Sequence, residues 1–529
     1  MLVNMGRVIR QTVEAFADRT AVANLERGRR FSYREMHLLS NRLSHVLTGR
    51  FGLGAGDRYA IILDNEHVAL FHPWMFKCPV TAAWLDIRES HGQLLRQVDH
   101  VEPRVVFVEA RLLEEMLEPL ARRGLEIISM DPPEVHHQRV HYFWDLVRQA
   151  SEDEVQAELD YYDAERFTAV MRFTGGTTDT PKCACYSLAN FWVWGMNPAH
   201  YIHTVPFPHP RAMLFSPINH AASGSVVIPV HLKGGCLATL NRAEVQAIGQ
   251  WIEREGIELI YTVPTVLYRM LDMKLTQRYR LTSLKTIRYG GAPISPAKLE
   301  VLLEQFGPVF VQGYGSTECW PSCTILARED HGTDTPQKLA RLASVGRPFP
   351  GQEILICDED GNPVPDGQEG ELHIRGANTV KGYFRAPELT REHFTPGGFW
   401  RSGDIGYRDQ QGYVFLVDRK KDIIISGGYN VYATEVENCL NSHPAVANSA
   451  VVGVPDEVWG EAVQAVVVLR PGARATAQEL IQHCKERLAR YKAPKAVELV
   501  PELPLSAAGK VLRREVRRRL LEQRRESST

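Results

Sequence analysis

A glycine- and threonine-rich stretch, TGGTTDTPK, occupies residues 174–182 directly after the strand-like run FTAVMRF. Glycine lets backbone N–H groups turn toward an anion, and threonine hydroxyls and a lysine ammonium add donors and positive charge. The stretch lacks the GK[ST] ending of P-loop NTPases, so it is a different phosphate loop. The residues expected to hold phosphate are Thr174, Gly176, Thr177, Thr178 and Lys182.

Four further motifs carry groups that suit a nucleotide: GYGSTE at 313–318, RSGD at 401–404, DRKKDIIISGGYNVYATEVE from 418, and LPLSAAGKVLRR near the C-terminus. Tyr314 offers a flat face to a purine, and the Glu318 carboxylate can hold Mg²⁺ against phosphates. Asp404 can accept hydrogen bonds from both ribose hydroxyls. Lys510 can neutralise a carboxylate as it meets a phosphate.

Short apolar runs alternate with helical patterns through the first 340 residues, as in YAIILDN, RVVFVEA, AMLFSPINH, ELIYTVPT and TIRYGGAP. This alternation predicts an α/β fold with largely parallel sheets, whose ligands gather at the carboxyl ends of the strands. From about residue 340 the strands shorten and turn residues multiply, which predicts a β-rich subdomain over 340–418. The remaining residues, 419–529, suffice for a small α+β domain, so the predicted division is 1–418 and 419–529.

Composition excludes several classes of protein. The formal net charge is −2 over 529 residues, which disfavours a nucleic-acid partner. No apolar run has the length of a membrane span, and the N-terminus has no signal-peptide core. The nine cysteines have no zinc-site spacing, and reduced thiols suit a cytoplasmic protein.

Taken together and in this order, the five motifs resemble those of the AMP-forming acyl-CoA synthetases, the adenylate-forming superfamily that includes luciferases and peptide-synthetase adenylation domains. The resemblance covers nearly the whole chain. It implies stacked mixed sheets with helices and a β-rich subdomain in a large N-terminal domain, and a small mobile C-terminal domain. It also implies that a carboxylic acid reacts with ATP, with Mg²⁺ present, to give acyl-AMP and pyrophosphate. The acyl group then passes to a thiol, usually that of coenzyme A.

The resemblance assigns roles residue by residue. Lys510, Glu318, Thr317, Lys182 and His220 match catalytic positions, with Glu318 as the metal ligand. Lys421 falls at the hinge. The other matched positions are the phosphate-loop residues Thr174, Gly176, Thr177 and Thr178, the adenine-site residues Gly291, Ala292 and Tyr314, the ribose binders Asp404 and Arg419, and the pantetheine-tunnel glycines Gly427 and Gly428.

The phosphate loop departs from the family pattern, because Asp179 and Cys183 stand where glycine is usual. A carboxylate ~4 Å from a phosphate charge costs up to ~4 kcal/mol at a surface-like dielectric. We expect the loop to bind ATP more weakly than the usual loop. The alternative is an enzyme with impaired adenylation that thioesterifies a supplied acyl-AMP.

The segments NHAASGSVVIP and YGGAPIS contain no acidic residue, which disfavours an amino-acid substrate, and their small residues suggest a roomy apolar pocket. Trp192, Trp194 and Trp320 are candidates both for its lining and for the core. A fatty, alicyclic or aryl acid is therefore expected. The acceptor remains open between coenzyme A and the phosphopantetheine of an acyl carrier protein, and a ligand-binding protein on an enzyme fold is the third interpretation.

Overall fold

The computed structural model describes residues 5–155, 167–174, 182–219, 223–242, 244–506 and 509–527. Their strands form four sheets, of nine, seven, four and five strands. The helices are α1 Met5–Phe16, α2 Tyr33–His45, α3 Asn65–Val68, α4 His91–Val101, α5 Leu113–Arg122, α6 Phe143–Gln149, α7 Leu188–Gly195, α8 Val227–Leu232, α9 Val245–Glu255, α10 Pro264–Asp272, α11 Leu275–Arg278, α12 Pro296–Phe306, α13 Pro336–Arg341, α14 Pro387–His393, α15 Ala433–Asn441, α16 Ala477–Arg487 and α17 Arg513–Ser527.

The strands follow the apolar runs of the sequence. They are β1 Thr20–Asn24, β2 Arg29–Ser32, β3 Arg58–Ile62, β4 Thr81–Trp84, β5 Val105–Val108, β6 Glu126–Ser129, β7 Val140–Tyr142, β8 Val170–Phe173, β9 Cys183–Tyr186, β10 Arg211–Leu214, β11 Cys236–Thr239, β12 Leu259–Thr262, β13 Thr286–Gly290, β14 Phe310–Tyr314, β15 Thr324–Leu326, β16 Arg347–Pro348, β17 Gln352–Cys357, β18 Gly370–Gly376, β19 Trp400–Arg408, β20 Val414–Arg419, β21 Ile424–Ser426, β22 Tyr429–Val431, β23 Val446–Asp456, β24 Gly460–Leu469 and β25 Ala496–Leu499.

The two large sheets are mainly parallel, as the alternation of strands and helices predicts. Their strand orders are β16-β15-β14-β13-β12-β10-β11-β1-β2 and β7-β6-β5-β3-β4-β8-β9. Antiparallel pairing is confined to strands at their edges, such as β9, β15 and β16. The largest apolar core contains residues of both sheets, including Trp84, Tyr186 and Trp320. The carboxyl ends of β8, β13 and β14 carry the phosphate loop, the YGGAP segment and the GYGSTE segment.

The predicted β-rich region forms an antiparallel sheet, β17-β18-β19-β20, which is separate from the parallel sheets. The smaller C-terminal domain has its own sheet, β22-β21-β24-β23 with β25 beside β24, and its own apolar core. The basic tail forms α17, whose Val516 and Leu520 are buried in a cluster with residues of β23 and β24. The α/β class and the large-plus-small organisation are therefore confirmed. Within the described residues, no helix has the length and hydrophobicity to cross a lipid bilayer.

Candidate active site

Three strands bring polar side chains together where the nine-stranded and four-stranded sheets approach each other. Tyr314 ends β14, Asp404 lies within β19, and Arg419 ends β20, where the strand register pairs it with Asp404. The Tyr314 hydroxyl donates to Asp404 Oδ2 at 2.6 Å, and Arg419 Nε lies 3.3 Å from Asp404 Oδ1. Burial raises the pKa of the Asp404 carboxyl, and the Arg419 charge opposes that rise.

Glu318 extends this arrangement toward the phosphate loop. Its Oε1 accepts a hydrogen bond from the Tyr383 hydroxyl at 2.7 Å, and its Oε2 accepts one from Ser316 Oγ at 2.9 Å. Tyr383 also faces Lys182, whose Nζ lies 6.0 Å from the ring centroid. We call Tyr314, Glu318, Tyr383, Asp404 and Arg419 the carboxylate cluster. Every carboxylate in this cluster has a hydrogen-bond donor.

Lys510 reaches this edge from the C-terminal domain. A β-carbon on Gly291 would stand 3.3 Å from Lys510 Cε and 3.7 Å from its Nζ, so a side chain there would displace the lysine. Gly291 also has a φ of 81°, which favours glycine. Burial and the Arg419 charge lower the pKa of Lys510 to about 8, although Asp404 acts in the opposite direction.

The backbone that carries Lys510 is held on both sides. The Gly509 carbonyl accepts a hydrogen bond from Thr265 Oγ1 of the N-terminal domain at 2.7 Å. Arg513, three residues after Lys510, donates to Glu437 Oε2 at 2.6 Å and to Asp418 Oδ1 at 2.9 Å. These bonds place the lysine beside Gly291 by fixing its two flanks.

Several predicted residues lie at the site's edge. The Thr174 N–H donates to the Lys182 carbonyl at 2.9 Å, which joins the two ends of the phosphate loop. Lys182 Nζ contacts His393 Nε2, a partner that no local motif indicated. The Thr317 carbonyl accepts a hydrogen bond from Tyr186. Ala292, which follows Gly291, is half-buried.

Other predicted residues are exposed near the start of the C-terminal domain or lie outside the described residues. Gly427 and Gly428 form the exposed turn of the β21–β22 hairpin, with φ of 60° and 81°, and Gly427 lies against Trp459 of the same domain. Lys421 is exposed in the short connection between β20 and β21. The predicted residues outside the described ranges are Gly176, Thr177, Thr178, Asp179 and His220.

A buried arginine adjoins the NHAASG segment and was missed in the sequence. Arg172 on β8 is 2% exposed, and its guanidinium lies 4.3 Å from the ring centroid of Trp84, 5.1 Å from that of Trp320 and 5.4 Å from that of Tyr186. We call these four residues the arginine cage. The absence of charge in NHAASGSVVIP itself therefore does not make its surroundings uncharged.

The tryptophans considered for the acid pocket belong to the core. Trp194 is 1% exposed and donates its Nε1 hydrogen to the Ser225 carbonyl, and Trp320 is fully buried against Phe191. Trp192 is half-buried. Of the three, Trp320 alone also faces the Arg172 guanidinium.

Two family models match the chain. The AMP-binding enzyme model matches residues 9–384, and the AMP-binding enzyme C-terminal domain model matches residues 435–510. The first covers well over half of the chain. The chain belongs to the AMP-forming acyl-CoA synthetases. As a member of this family it is an ATP-dependent acid–CoA ligase, and the site described above is the place where that chemistry is expected.

Relatives of this synthetase act on different acids by name. It is 38% identical over 351 residues to a feruloyl-CoA synthase from Amycolatopsis sp., covering 66% of this chain and 69% of the relative. It is 34% identical to the medium/long-chain-fatty-acid–CoA ligase FadD8 from Mycobacterium tuberculosis, covering 80% and 72%. It is 31% identical to a 2-succinylbenzoate–CoA ligase from Bacillus cytotoxicus, covering 88% and 89%.

Solved structures match the synthetase over nearly its whole length. The amide bond synthetase McbA from Marinactinospora thermotolerans is 28% identical, with a TM-score of 0.85 over 97% of this chain and 99% of that one. The o-succinylbenzoate CoA synthetase from Bacillus subtilis, in complex with its acyl-adenylate intermediate, is 27% identical, with a TM-score of 0.80 over 96% and 97%.

Proposed function

We propose that the synthetase joins a fatty, alicyclic or aryl carboxylic acid to coenzyme A in two steps at the edge formed by β13, β14 and β19. The observation that carries this proposal is the position of Lys510, which comes from the C-terminal domain yet lies against Gly291 and near Asp404. A cation at this place can neutralise a carboxylate as it approaches the α-phosphate of ATP. We therefore assign this arrangement to acid adenylation.

The carboxylate cluster provides the nucleotide contacts in this proposal. Tyr314 stacks on adenine, and Asp404 with Arg419 holds the ribose. Glu318 is a buried carboxylate, and its oxygen atoms are the kind of ligand that Mg²⁺ prefers. Mg²⁺ is commonly held by one or two carboxylates together with substrate phosphates. The ion would supply charge neutralisation on those phosphates. Tyr383 and Ser316 orient the Glu318 oxygens for this purpose.

The second step requires the C-terminal domain to turn. Gly427 and Gly428, proposed to let the pantetheine arm of coenzyme A pass, are exposed while Lys510 is at the site. We infer that the domain presents Lys510 in the first step and this glycine turn in the second. We propose the connection around Lys421, between β20 and β21, as the hinge, and residues 1–418 and 419–529 as the two moving bodies.

Pyrophosphate release tests the proposal. The assay combines ATP, Mg²⁺ and a panel of fatty, alicyclic and aryl acids, with and without coenzyme A. Release with one class of acid, followed by acyl-CoA formation, supports the ligase. Acyl transfer only to an added acyl carrier protein would replace coenzyme A as acceptor, although the relatives described above are named for coenzyme A products. Silence across the panel, with and without coenzyme A, would contradict the adenylation assignment.

Asp179 provides a second, finer test. At a water-like dielectric, two charges ~4 Å apart repel by ~1 kcal/mol, so Asp179→Gly is expected to lower the KM for ATP by roughly fivefold. Asp360→Gly, in an exposed turn far along the chain, serves as the control for loss of one acidic charge. An unchanged KM in Asp179→Gly would place that carboxylate away from the phosphates.

A further inference from the structure

Arg172 is a charged residue in a strand that is otherwise apolar. On β8, Val170 shares its face and belongs to the core between the two large sheets, whereas Met171 belongs to the core on the opposite side. Because side chains alternate along a strand, the Arg172 guanidinium enters the layer between the sheets. It is 2% exposed there.

Among the residues that the structure describes, no carboxylate pairs with this guanidinium. Its Nε, Nη1 and Nη2 form no hydrogen bond of normal geometry there. The Tyr186 hydroxyl, the oxygen that the cage presents, donates to the Thr317 carbonyl and keeps its lone pairs free to accept. The three aromatic rings stabilise a positive charge, but they are not conventional acceptors for its five N–H groups.

A second buried arginine shows what a satisfied guanidinium looks like in the same layer. Arg288 on β13 is 1% exposed, and it donates to Thr204 Oγ1 at 3.0 Å and to Ser322 Oγ at 3.1 Å. Burying a charge is unfavourable unless hydrogen bonds or an opposite charge compensate for it. Arg288 has hydrogen-bond partners within the protein, whereas Arg172 has none among the described residues.

The open side of Arg172 adjoins the segment expected to border the acid. A β-carbon on Gly224 would stand 3.5 Å from Arg172 Nη2 and 3.7 Å from Trp320 Cζ2. The absence of a side chain at Gly224 therefore lets the backbone of this residue lie directly beside the guanidinium, where a side chain would crowd it. Lys510 contacts a different wall, at Gly291 on the far end of β13.

We propose that Arg172 is a specificity-determining residue that binds a second anionic group of the acid substrate, at the end distant from the carboxylate that is adenylated. A carboxylate or sulfonate fits, because a guanidinium binds planar or tripodal oxyanions through paired N–H donors. This inference rests on the proposed ligase function and names the class of acid: one with an apolar body and an anionic group at each end. It also strengthens the exclusion of amino acids, whose ammonium Arg172 would repel.

Matched acids test the proposal, since each set differs only at the distant end. The sets are hexanoate with hexanedioate and its monomethyl ester, octanoate with octanedioate and its monomethyl ester, and p-toluate with terephthalate. Pyrophosphate release is measured for the unmodified chain, Arg172→Met, Arg172→Lys and the control Arg375→Met. Arg375 is an exposed arginine on β18 that contacts Phe399 and pairs with Glu353, outside the site.

We expect kcat/KM to favour the doubly anionic acid of at least one set by about 30-fold or more. Arg172→Met should abolish that preference. The acid of the same set whose distant end is uncharged should remain as good a substrate or become a better one. Arg172→Lys should retain part of the preference, and Arg375→Met all of it. The melting temperature of Arg172→Met should equal or exceed that of the unmodified chain, because an unpaired buried charge is removed.

Two results would overturn the inference. One is a preference for the methyl-terminated acids that Arg172→Met leaves unchanged, which would make the arginine cage structural. The other is an equal loss for every acid in Arg172→Met and Arg172→Lys, which would place the guanidinium on the reacting carboxylate.

The ligase proposal fails separately, by silence across the whole panel. Titration of tryptophan fluorescence without ATP then decides the inference, since Trp84 and Trp320 face Arg172. A distant-anion site is supported if the dicarboxylate quenches the fluorescence of the unmodified chain, while its half-ester does not and Arg172→Met shows no quenching by the dicarboxylate. Equal quenching in all three cases contradicts such a site.

Discussion

In the carboxylate cluster, Asp404 and Glu318 each accept a hydrogen bond from a tyrosine, whereas around the arginine cage Arg172 has no hydrogen-bond partner among the described residues. Tyr261, whose hydroxyl lies 3.5 Å from the place of a Gly291 β-carbon, is unpaired in the same sense. Asp404, Glu318 and Arg172 are all buried, so the difference between these carboxylates and this guanidinium is not one of access to water.

The two regions are expected to meet different ligands. ATP is the same in every turnover, and groups that hold it can be oriented by fixed neighbours before it arrives. An acid that supplies its own charge or hydrogen bond replaces a partner that the protein does not provide. We therefore expect the protein itself to orient the carboxylate cluster, and the substrate to supply the hydrogen-bond partner of the arginine cage.

Lys510, which lies beside Gly291 and near Asp404, should give the largest effect. Lys510→Ala is expected to reduce adenylation by about 10²–10³-fold, the usual loss when a preorganised charge donor is removed. Thioester formation from synthetic acyl-AMP should remain largely intact. Pyrophosphate release and acyl-CoA formation from supplied acyl-AMP are measured side by side. Equal loss of both would show that the lysine serves the whole site.

The pH profile of adenylation sharpens the same point. Burial lowers the pKa of Lys510 to about 8, so the ammonium is present below that pH and lost above it. kcat/KM for adenylation, which reports the free enzyme, should be level below about pH 8 and fall about tenfold per pH unit above it. Thioester formation from acyl-AMP should show no such fall. A level adenylation profile to pH 9.5 would contradict a role for the charge.

Asp404→Asn removes the charge that pairs with Tyr314 and Arg419 in the carboxylate cluster. Hydrogen bonds to charged groups contribute ~1.5–3 kcal/mol, so the KM for ATP should rise roughly tenfold to hundredfold. The KM for the acid should change little. Asp360→Asn, in an exposed turn, is the matched control and should leave both values unchanged. A larger effect on the acid than on ATP would reverse the assignment of the cluster.

Two tyrosine-to-phenylalanine substitutions compare a hydroxyl that has a carboxylate partner with one that has none among the described residues. Tyr383→Phe removes the donor to buried Glu318 and should destabilise the protein by ~1.5–3 kcal/mol. Tyr261→Phe removes a hydroxyl that has no partner among the described residues, and should leave stability unchanged or raise it by up to ~1 kcal/mol. Thermal unfolding measures both. An equal loss of unfolding free energy in the two variants would show that the Tyr261 hydroxyl is as well paired as the Tyr383 hydroxyl.

The sequence predicted the local structure where residue pattern and local geometry coincide. The helix after Ser32 begins with the S-x-x-E pattern of a capping box: Ser32 Oγ accepts from the Glu35 N–H, and Glu35 Oε2 accepts from the Ser32 N–H. The apolar runs became strands because their side chains fill the layer between two sheets. Gly427 and Gly428, which the sequence assigned to the pantetheine tunnel and not to a turn, have the positive φ of a two-residue hairpin turn.

The partners of the site residues could not be predicted from the sequence. Lys182 meets His393 across 211 residues, and Glu318 meets Tyr383 across 65. A histidine in REHF and a tyrosine in KGYF have no distinguishing neighbours. Which side chains meet across such distances depends on how β9, β19 and α14 pack, which no short pattern specifies.

The order of the motifs alone indicated the family and the two-step chemistry it implies. It also predicted roles for Tyr314, Glu318, Asp404 and Lys510, because those roles depend on chemical types that the motifs preserve. Tertiary structure decided which step the observed arrangement suits, by placing Lys510 beside Gly291 and leaving Gly427 and Gly428 exposed. It also placed a buried charge beside Gly224, in the segment expected to border the acid. In the sequence Arg172 is one polar residue in an apolar strand, and its unpaired state arises only from burial between two sheets, which is a property of packing.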